Sequence, residues 1–487
     1  MPILPPGDLL LIAPELFLSA AGMAILIYAT MIGRAQERAL ALVSVGSLAL
    51  TGLLLFVSRR GAGFGGMLEV DRFALYFKGL VILAAIITIL FSLRFVEVAP
   101  YPGGEYYALI LLTTVGMMFM ASGTHFGSIY ISLELMALSQ YVLAGYFKKE
   151  TKSIEAAAKY FILGAFSSAV LLYGISLVYG ATGTLSLSGM AASAAMGERS
   201  PLLIVGIILV ACGLLFKVAS APFHVWAPDV YEGAPTPISA FFAVGPKLAA
   251  YAILARIFFV GFGPRVVDWA PIIAASAALT MVVGNVGALM QTNVKRMLGY
   301  SSIGHAGYAL LGVLGYSTSI TQPDGKVVNL GLSSILIYLL AYALMNLGVF
   351  GLVVLLESKG YAAESIDDFN GLSKKNPIAA AVMIVFLLSL AGIPPTAGFI
   401  GKYYLFTTAM KSGWVGLTLL AVLMSAVSLF YYFRIARAMY LVDGEGELKW
   451  REEPAVAAAV FVCVTGTLMM GILPQPFIRF AESCLLK

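Results

Sequence analysis

Long apolar runs, each closed by a short polar or basic segment, recur from one end of the chain to the other. A helix needs ~20 apolar residues to cross a bilayer core. About fourteen runs meet that length, at 9–31, 39–58, 73–93, 106–123, 126–147, 155–180, 202–222, 236–260, 268–290, 297–316, 331–356, 377–408, 414–440 and 454–475. The pattern predicts an all-α integral membrane protein of about 14 transmembrane helices. The connecting segments are short, the longest around 181–201 and 357–376, so no extramembrane domain is expected. The first run has no basic segment before it and is longer than the core of a cleaved signal, so it reads as a retained helix.

Composition agrees. Of 487 residues, 60% are hydrophobic and 11% charged, where a soluble domain carries roughly 25% charged residues. The net charge of +5 comes from basic residues in loops, with no aromatic-studded basic patch of the kind that binds nucleic acid. The Lys/Arg bias favours an inner side holding Lys148, Lys149, Lys152, Lys295, Arg296, Lys374 and Lys375, with both termini outside. Cys212, Cys463 and Cys484 form no paired motif, and His125, His224 and His305 are far apart. Neither a metal site nor a bound cofactor is expected in this chain.

Two runs carry helix breakers. One passes through Lys217-Val-Ala-Ser-Ala-Pro222-Phe-His224 and the other through Gly392-Ile-Pro394-Pro395-Thr-Ala-Gly398. Proline removes a backbone donor and clashes with the preceding turn. A simple kink is one reading. Paired broken helices in corresponding halves of a transporter, built as inverted repeats around a midplane site, are the other.

Charges inside apolar runs are functional candidates, because a central charge costs at least ~2.5–3.5 kcal/mol. Glu134, Lys217, Lys247 and Lys402 lie inside their spans. Burial disfavours an ammonium and a nearby carboxylate favours it, so a buried lysine can load and release a proton as a carboxylate approaches or withdraws. Arginine cannot do this. Any one of these lysines read alone is as well explained by snorkelling or a static ion pair. Three of them together with a deep glutamate favour a proton relay. Lys159 and Glu155 are either an inner proton entrance or an ordinary i,i+4 pair. His224 follows Lys217 by about two turns and is a relay or a packing histidine. His305 is a candidate bridge between Lys247 and Lys402. Lys78 and Glu15, nearer their helix ends, are expected to snorkel.

Three segments carry a resemblance that covers essentially the whole chain. They are Ala221-Pro-Phe-His-Val-Trp-Ala-Pro-Asp-Val-Tyr-Glu-Gly-Ala-Pro-Thr-Pro237, Val294-Lys-Arg-Met-Leu-Gly-Tyr-Ser-Ser-Ile-Gly-His-Ala-Gly307 and Ala391-Gly-Ile-Pro-Pro-Thr-Ala-Gly-Phe-Ile-Gly-Lys402. The chain resembles the antiporter-like subunits of complex I, the proton-pumping NADH–quinone oxidoreductase, and is most similar to the subunit N family. The resemblance implies a helix-five glutamate at Glu134 paired with a helix-seven lysine at Lys217, a central lysine at Lys247 and a helix-twelve lysine at Lys402. A glutamate in place of Lys402 would suggest subunit M, and a long lateral helix, not expected here, subunit L. It also implies two inverted five-helix repeats with helices 7 and 12 broken. The division is residues 1–104 (helices 1–3), 105–262 (first repeat), 263–450 (second repeat) and 451–487 (helix 14). The implied setting is a bacterial inner membrane, with other membrane-arm subunits as partners. NADH, FMN, iron–sulfur clusters and quinone would be handled by partner subunits. The alternatives are a cation/proton antiporter subunit, a non-transporting scaffold, and the equivalent subunit of a ferredoxin-type relative.

Overall fold

The structure is a computed structural model describing residues 6–32, 36–98, 103–196, 200–321, 327–357, 364–444 and 453–486. Each predicted run is a helix or a broken pair of helices: α1 (Ala13–Ile32), α2 (Glu37–Val57), α3 (Arg72–Val98), α4 (Gly103–Ser122), α5 (Phe126–Ala144), α6 (Thr151–Thr182), α7a (Pro201–Lys217) and α7b (Trp226–Gly233), α8 (Thr236–Ala255), α9 (Val266–Leu289), α10 (Val294–Leu314), α11 (Leu330–Glu357), α12a (Pro377–Ala391) and α12b (Ala397–Lys411), α13 (Val415–Leu441) and α14 (Pro454–Ile472). A short amphipathic helix, α15 (Gln475–Ser483), follows. Among the described residues, eleven helices are long and apolar enough to cross a membrane by themselves. The exceptions are informative: α7 and α12 are each divided in two, and α10 begins with Lys295 and Arg296.

Local chemistry sets the boundaries. His125 Nδ1 accepts from Gly127 N at 3.0 Å and caps α5, Asn293 accepts from Arg296 N at the start of α10, and Asn376 caps α12a with Pro377 in the first turn. One predicted loop is partly ordered, because 181–201 contains a helix at Leu187–Met196. Two antiparallel hairpins, β1–β2 (Gly61–Gly63 with Leu68–Val70) and β3–β4 (Ser319–Thr321 with Val327–Asn329), close the α2–α3 and α10–α11 connections.

The apolar windows of α8 and α11 are 100% buried, whereas those of α1 and α13 are 28% buried. The centre of the bundle is therefore α8 and α11, and the peripheral helices present apolar side chains to lipid, the only solvent that accepts them. Lys247 lies on α8, one of the two most enclosed spans among the described residues. Packing repeats along the chain: α4 pairs with α5 as α9 does with α10, and α6 with α7a as α11 does with α12b.

Glu15 and Lys78 do not snorkel. They meet at 2.6 Å between α1 and α3, with 0% and 1% of their side chains exposed. Removing one member of such a pair strands a charge, while replacing both by apolar residues removes the problem. Glu15→Ala is therefore expected to cost about 3–5 kcal/mol of stability, and the Glu15→Met/Lys78→Met double variant to recover most of it. Thermal unfolding of the solubilised chain reads this out. Equal losses in both variants would mean that the pair is not what matters at this position.

Candidate proton path

The two breaks are held open differently. In α7 the helix ends at Lys217, Ala219 takes a left-handed conformation (φ +56°), and the chain turns through Pro222 before α7b begins at Trp226. Freed backbone at membrane depth needs partners. Hydroxyls of α9 supply them: Thr280 Oγ1 accepts from Ala221 N at 2.9 Å, and Ser276 Oγ donates to Ala221 O at 2.8 Å. Ser220 Oγ lies 2.8 Å from Ser276 Oγ and 2.5 Å from Thr280 Oγ1. Trp226 Nε1 donates to the Phe216 carbonyl at 3.2 Å. In α12 a lysine does the same work. Lys402 Nζ donates to the Leu390 and Ala391 carbonyls at 2.9 and 2.8 Å and to Ser425 Oγ at 2.7 Å. A cation on the last carbonyls of a helix is favourable in itself. Gly392 ends α12a at φ +87°, and a Cβ there would stand 2.7 Å from Lys402 Cδ, so both the backbone and the lysine require glycine.

Lys217, Lys247 and Lys402 are all buried, at 5%, 2% and 3% exposure. Lys217 is the last residue of α7a, and among the described residues it has no hydrogen-bond or ion-pair partner. Glu134 is within electrostatic reach of it, yet its Oε1 accepts a 2.5 Å hydrogen bond from Ser168 Oγ of α6 instead. The expected carboxylate and lysine are thus neighbours without a direct bond. Beyond Glu134 on α5, Gln140 Oε1 accepts from Tyr160 Oη at 2.7 Å, and Tyr160 stacks on Trp226 at 4.5 Å.

From Lys247 onward there are two hydrogen-bonded sets, one on Ser302 and one on His305, which meet each other and Lys402 through ring contacts. Lys247 Nζ donates to the Ser302 carbonyl at 2.5 Å and also bonds Ser302 Oγ. Ser302 Oγ bonds Tyr342 Oη at 2.7 Å and Tyr231 Oη at 3.3 Å. Tyr342 Oη in turn donates to the Ala243 carbonyl, one turn before Pro246 loosens α8. One turn along α10, His305 Nδ1 bonds Tyr338 Oη at 2.6 Å and Nε2 lies 3.3 Å from Tyr432 Oη. Tyr432 Oη reaches Ser301 Oγ at 2.5 Å. Tyr308, the next residue on that face, is 5.8 Å from the His305 ring centre to centre and has Lys402 Nζ 4.9 Å from its own. Positions 301, 302, 305 and 308 share one helical face, and that face lies between Lys247 and Lys402.

His224 is not joined to this row. The helix is interrupted before it, which cancels the face that a continuous helix would give it with Lys217. Lys159 lies at one end of the bundle, 41% exposed. It bonds Glu155 at 2.6 Å, and also Asp229 of α7b at 2.6 Å. Asp229 and Glu232 both accept from Arg296 of α10, at 2.5 and 3.1 Å. Lys159 is thus part of a charged cluster tying α6, α7b and α10, more than an isolated helical pair. The tyrosines at 160, 231, 338, 342 and 432 were not singled out from sequence. Among the described residues, no group of three or more His, Cys, Asp or Glu side chains is placed to hold a metal.

The family described as NADH:quinone oxidoreductase/Mrp antiporter, transmembrane, matches residues 123–428. Curated relatives extend the match to the ends. NADH-quinone oxidoreductase subunit N of Trichlorobacter lovleyi is 43% identical over 98% of this chain and 96% of its own length. Subunit N 1 of Koribacter versatilis is 42% identical over 99% and 96%. The chain belongs to the NADH-quinone oxidoreductase subunit N family. A chain of respiratory complex I from Thermus thermophilus superposes with a TM-score of 0.81 at 31% identity, covering 96% of this chain and 99% of that one. A chain of the archaeal membrane-bound sulfane sulfur reductase gives 0.83 at 26% identity, over 98% and 96%. A chain of the Mrp complex from Dietzia, at 21% identity and a TM-score of 0.78, shares the fold. This subunit N family member is a multi-pass membrane protein, as its apolar helices require.

Proposed function

We infer that this chain is the proton-translocating subunit N of a respiratory NADH–quinone oxidoreductase in a bacterial inner membrane, with both termini on the outer side. The observation that supports the reading is the row of three buried lysines, with Ser302 and Tyr342 hydrogen-bonded beside the second and His305 and Tyr308 in ring contact between them and the third. The two inverted repeats are assigned to residues 105–262 and 263–450, each with one broken helix. Protons are taken up near Lys159 and Glu155, held at Lys217 under the control of Glu134, passed to Lys247, carried across α10 by hydroxyls and His305, and released past Lys402. His224 is left to packing. NADH oxidation and quinone reduction belong to partner subunits, and this subunit acts as a translocase. The scale is adequate: moving one charge against about 100 mV takes ~2.3 kcal/mol, and a swing of about two pKa units in one group supplies ~2.7 kcal/mol.

Ser302→Ala tests the central link, since it deletes the hydroxyl shared by Lys247, Tyr342 and Tyr231. NADH-driven proton pumping by the assembled complex in sealed vesicles is expected to fall by about tenfold. Pumping at the parental rate would favour a scaffold and sink the relay at its most connected point.

A further inference from the structure

Two cavities outside the proton path meet at the hairpin end of α2 and α3. The first is an apolar trough of ≈610 Å³ between α2 and α3, floored by Gly52, Gly79 and Leu83 and closed at its end by Phe480 of α15. It runs from Leu48 to Arg60 on one wall and from Arg72 to Ile86 on the other. That is about 20 Å at 1.5 Å per residue, enough to pass the middle of a ~30 Å hydrocarbon layer. A Cβ at Gly79 would meet open space, and one at Gly52 would only touch Ile82 at 3.9 Å. The second cavity, ≈560 Å³, has mixed walls: Leu187, Val260 and Leu485 line it together with Glu69, Asp71 and Arg256. Arg60, Arg72 and Ser483 line both cavities.

The charges at this junction are unequally satisfied. Arg256 is spoken for: it bonds Asp71 at 2.7 Å and the Ala121 carbonyl at 2.9 Å. Arg60 and Arg72 have no ion-pair partner among the described residues, and neither does Glu69. Two free guanidiniums at the mouth of a chain-length apolar trough match a phosphate with a hydrocarbon tail, because arginine forks fit phosphate oxygens. A free carboxylate in the adjoining chamber matches a cationic group on the far side of that phosphate.

We propose that the joined cavities bind one glycerophospholipid of the ethanolamine type, with its phosphate on Arg60 and Arg72, its ammonium toward Glu69 and one acyl chain in the α2–α3 trough. The helix α15 packs over the trough through Phe480, whose ring lies 5.6 Å from that of Tyr76. The bound lipid joins this tail to the outer pair of helices.

The test uses membranes containing the assembled complex and a phosphatidylethanolamine with a photoactivatable diazirine in its acyl chain. After illumination, labelled peptides of this chain are mapped by mass spectrometry. Labelling is expected to concentrate on residues 48–58 and 73–86, and to be competed by unlabelled phosphatidylethanolamine more strongly than by phosphatidylglycerol. It should fall by more than about tenfold, the loss of one charge-assisted contact, in Arg60→Glu/Arg72→Glu, which removes two. It should fall similarly in Gly79→Leu, which fills the trough from a position with room for a side chain. Arg60→Lys/Arg72→Lys, which keeps the charge but not the fork, should lose less than the glutamate variant and serves as the folding control. Labelling spread evenly over the lipid-facing helices, unchanged by either variant, would mark ordinary boundary lipid and overturn the site. A cross-link from the trough to a neighbouring subunit would overturn it too, as would equal competition by phosphatidylglycerol, which has no ammonium for Glu69.

Discussion

Lys217→Ala in the assembled complex is expected to lower proton pumping and NADH–quinone turnover together by at least about tenfold, with assembly intact. The case for a clean result is structural. Lys217 is buried at the end of α7a and carries no direct partner among the described residues. Glu134 is already held by Ser168, so removing the lysine strands no bonded carboxylate. The break beyond it is anchored by Ser276 and Thr280, which the substitution leaves untouched. The measurement is oxygen- or dye-coupled turnover alongside acidification of sealed vesicles, with subunit content checked by native gel. Normal turnover with normal pumping would leave the relay without its first member.

The second large effect separates charge from proton transfer at Lys402. Here the ammonium does have a structural task, since it caps two carbonyls of α12a and bonds Ser425. Lys402→Met would leave those acceptors buried and unpaired, at about 1–3 kcal/mol each, so a loss of pumping in that variant would be ambiguous. Lys402→Arg keeps a permanent cation with ample donors but cannot give up its proton. Lys402→Arg is therefore expected to assemble and still lose pumping by about tenfold or more. If the arginine variant pumps normally, Lys402 is a cap and the exit lies elsewhere.

The helices were legible in the sequence because length and apolarity alone decide them in a membrane. The run expected at 126–147 is the helix Phe126–Ala144, and that at 331–356 is Leu330–Glu357. The breaks were legible through Pro222 and Pro394-Pro395. What the sequence withheld was direction around the helix axis. Glu15 and Lys78 were read as snorkelling because position along a run gives depth, whereas their facing each other depends on how α1 and α3 are rotated. His224 was placed on the face of Lys217 by assuming a continuous helix, and the break invalidates that geometry. Lys159 does bond Glu155, the partner its spacing suggests, but its second partner, Asp229, lies 70 positions away. The aromatic hydroxyls between Lys247 and Lys402 were hidden for a different reason. Tyrosine in an apolar run is ordinary, and only the convergence of α8, α10, α11 and α13 turns Tyr342, Tyr338 and Tyr432 into a connected set.

The hydroxyl clasp on the α7 break has too few hydrogens for its contacts. Ser220, Ser276 and Thr280 own one hydroxyl hydrogen each, which makes three. Four short contacts ask for one: Ser276 to the Ala221 carbonyl, Thr280 to the Ser276 carbonyl, and Ser220 to each of the other two hydroxyls. One contact must always go without, and the vacancy can be moved by turning a single C–O bond with every heavy atom in place. The residue whose backbone the clasp grips is four positions from Lys217. The anchor of the first buried lysine is thus a small degenerate circuit, able to change its pattern of bonds at almost no displacement, and a nearby charge is what would choose between the patterns.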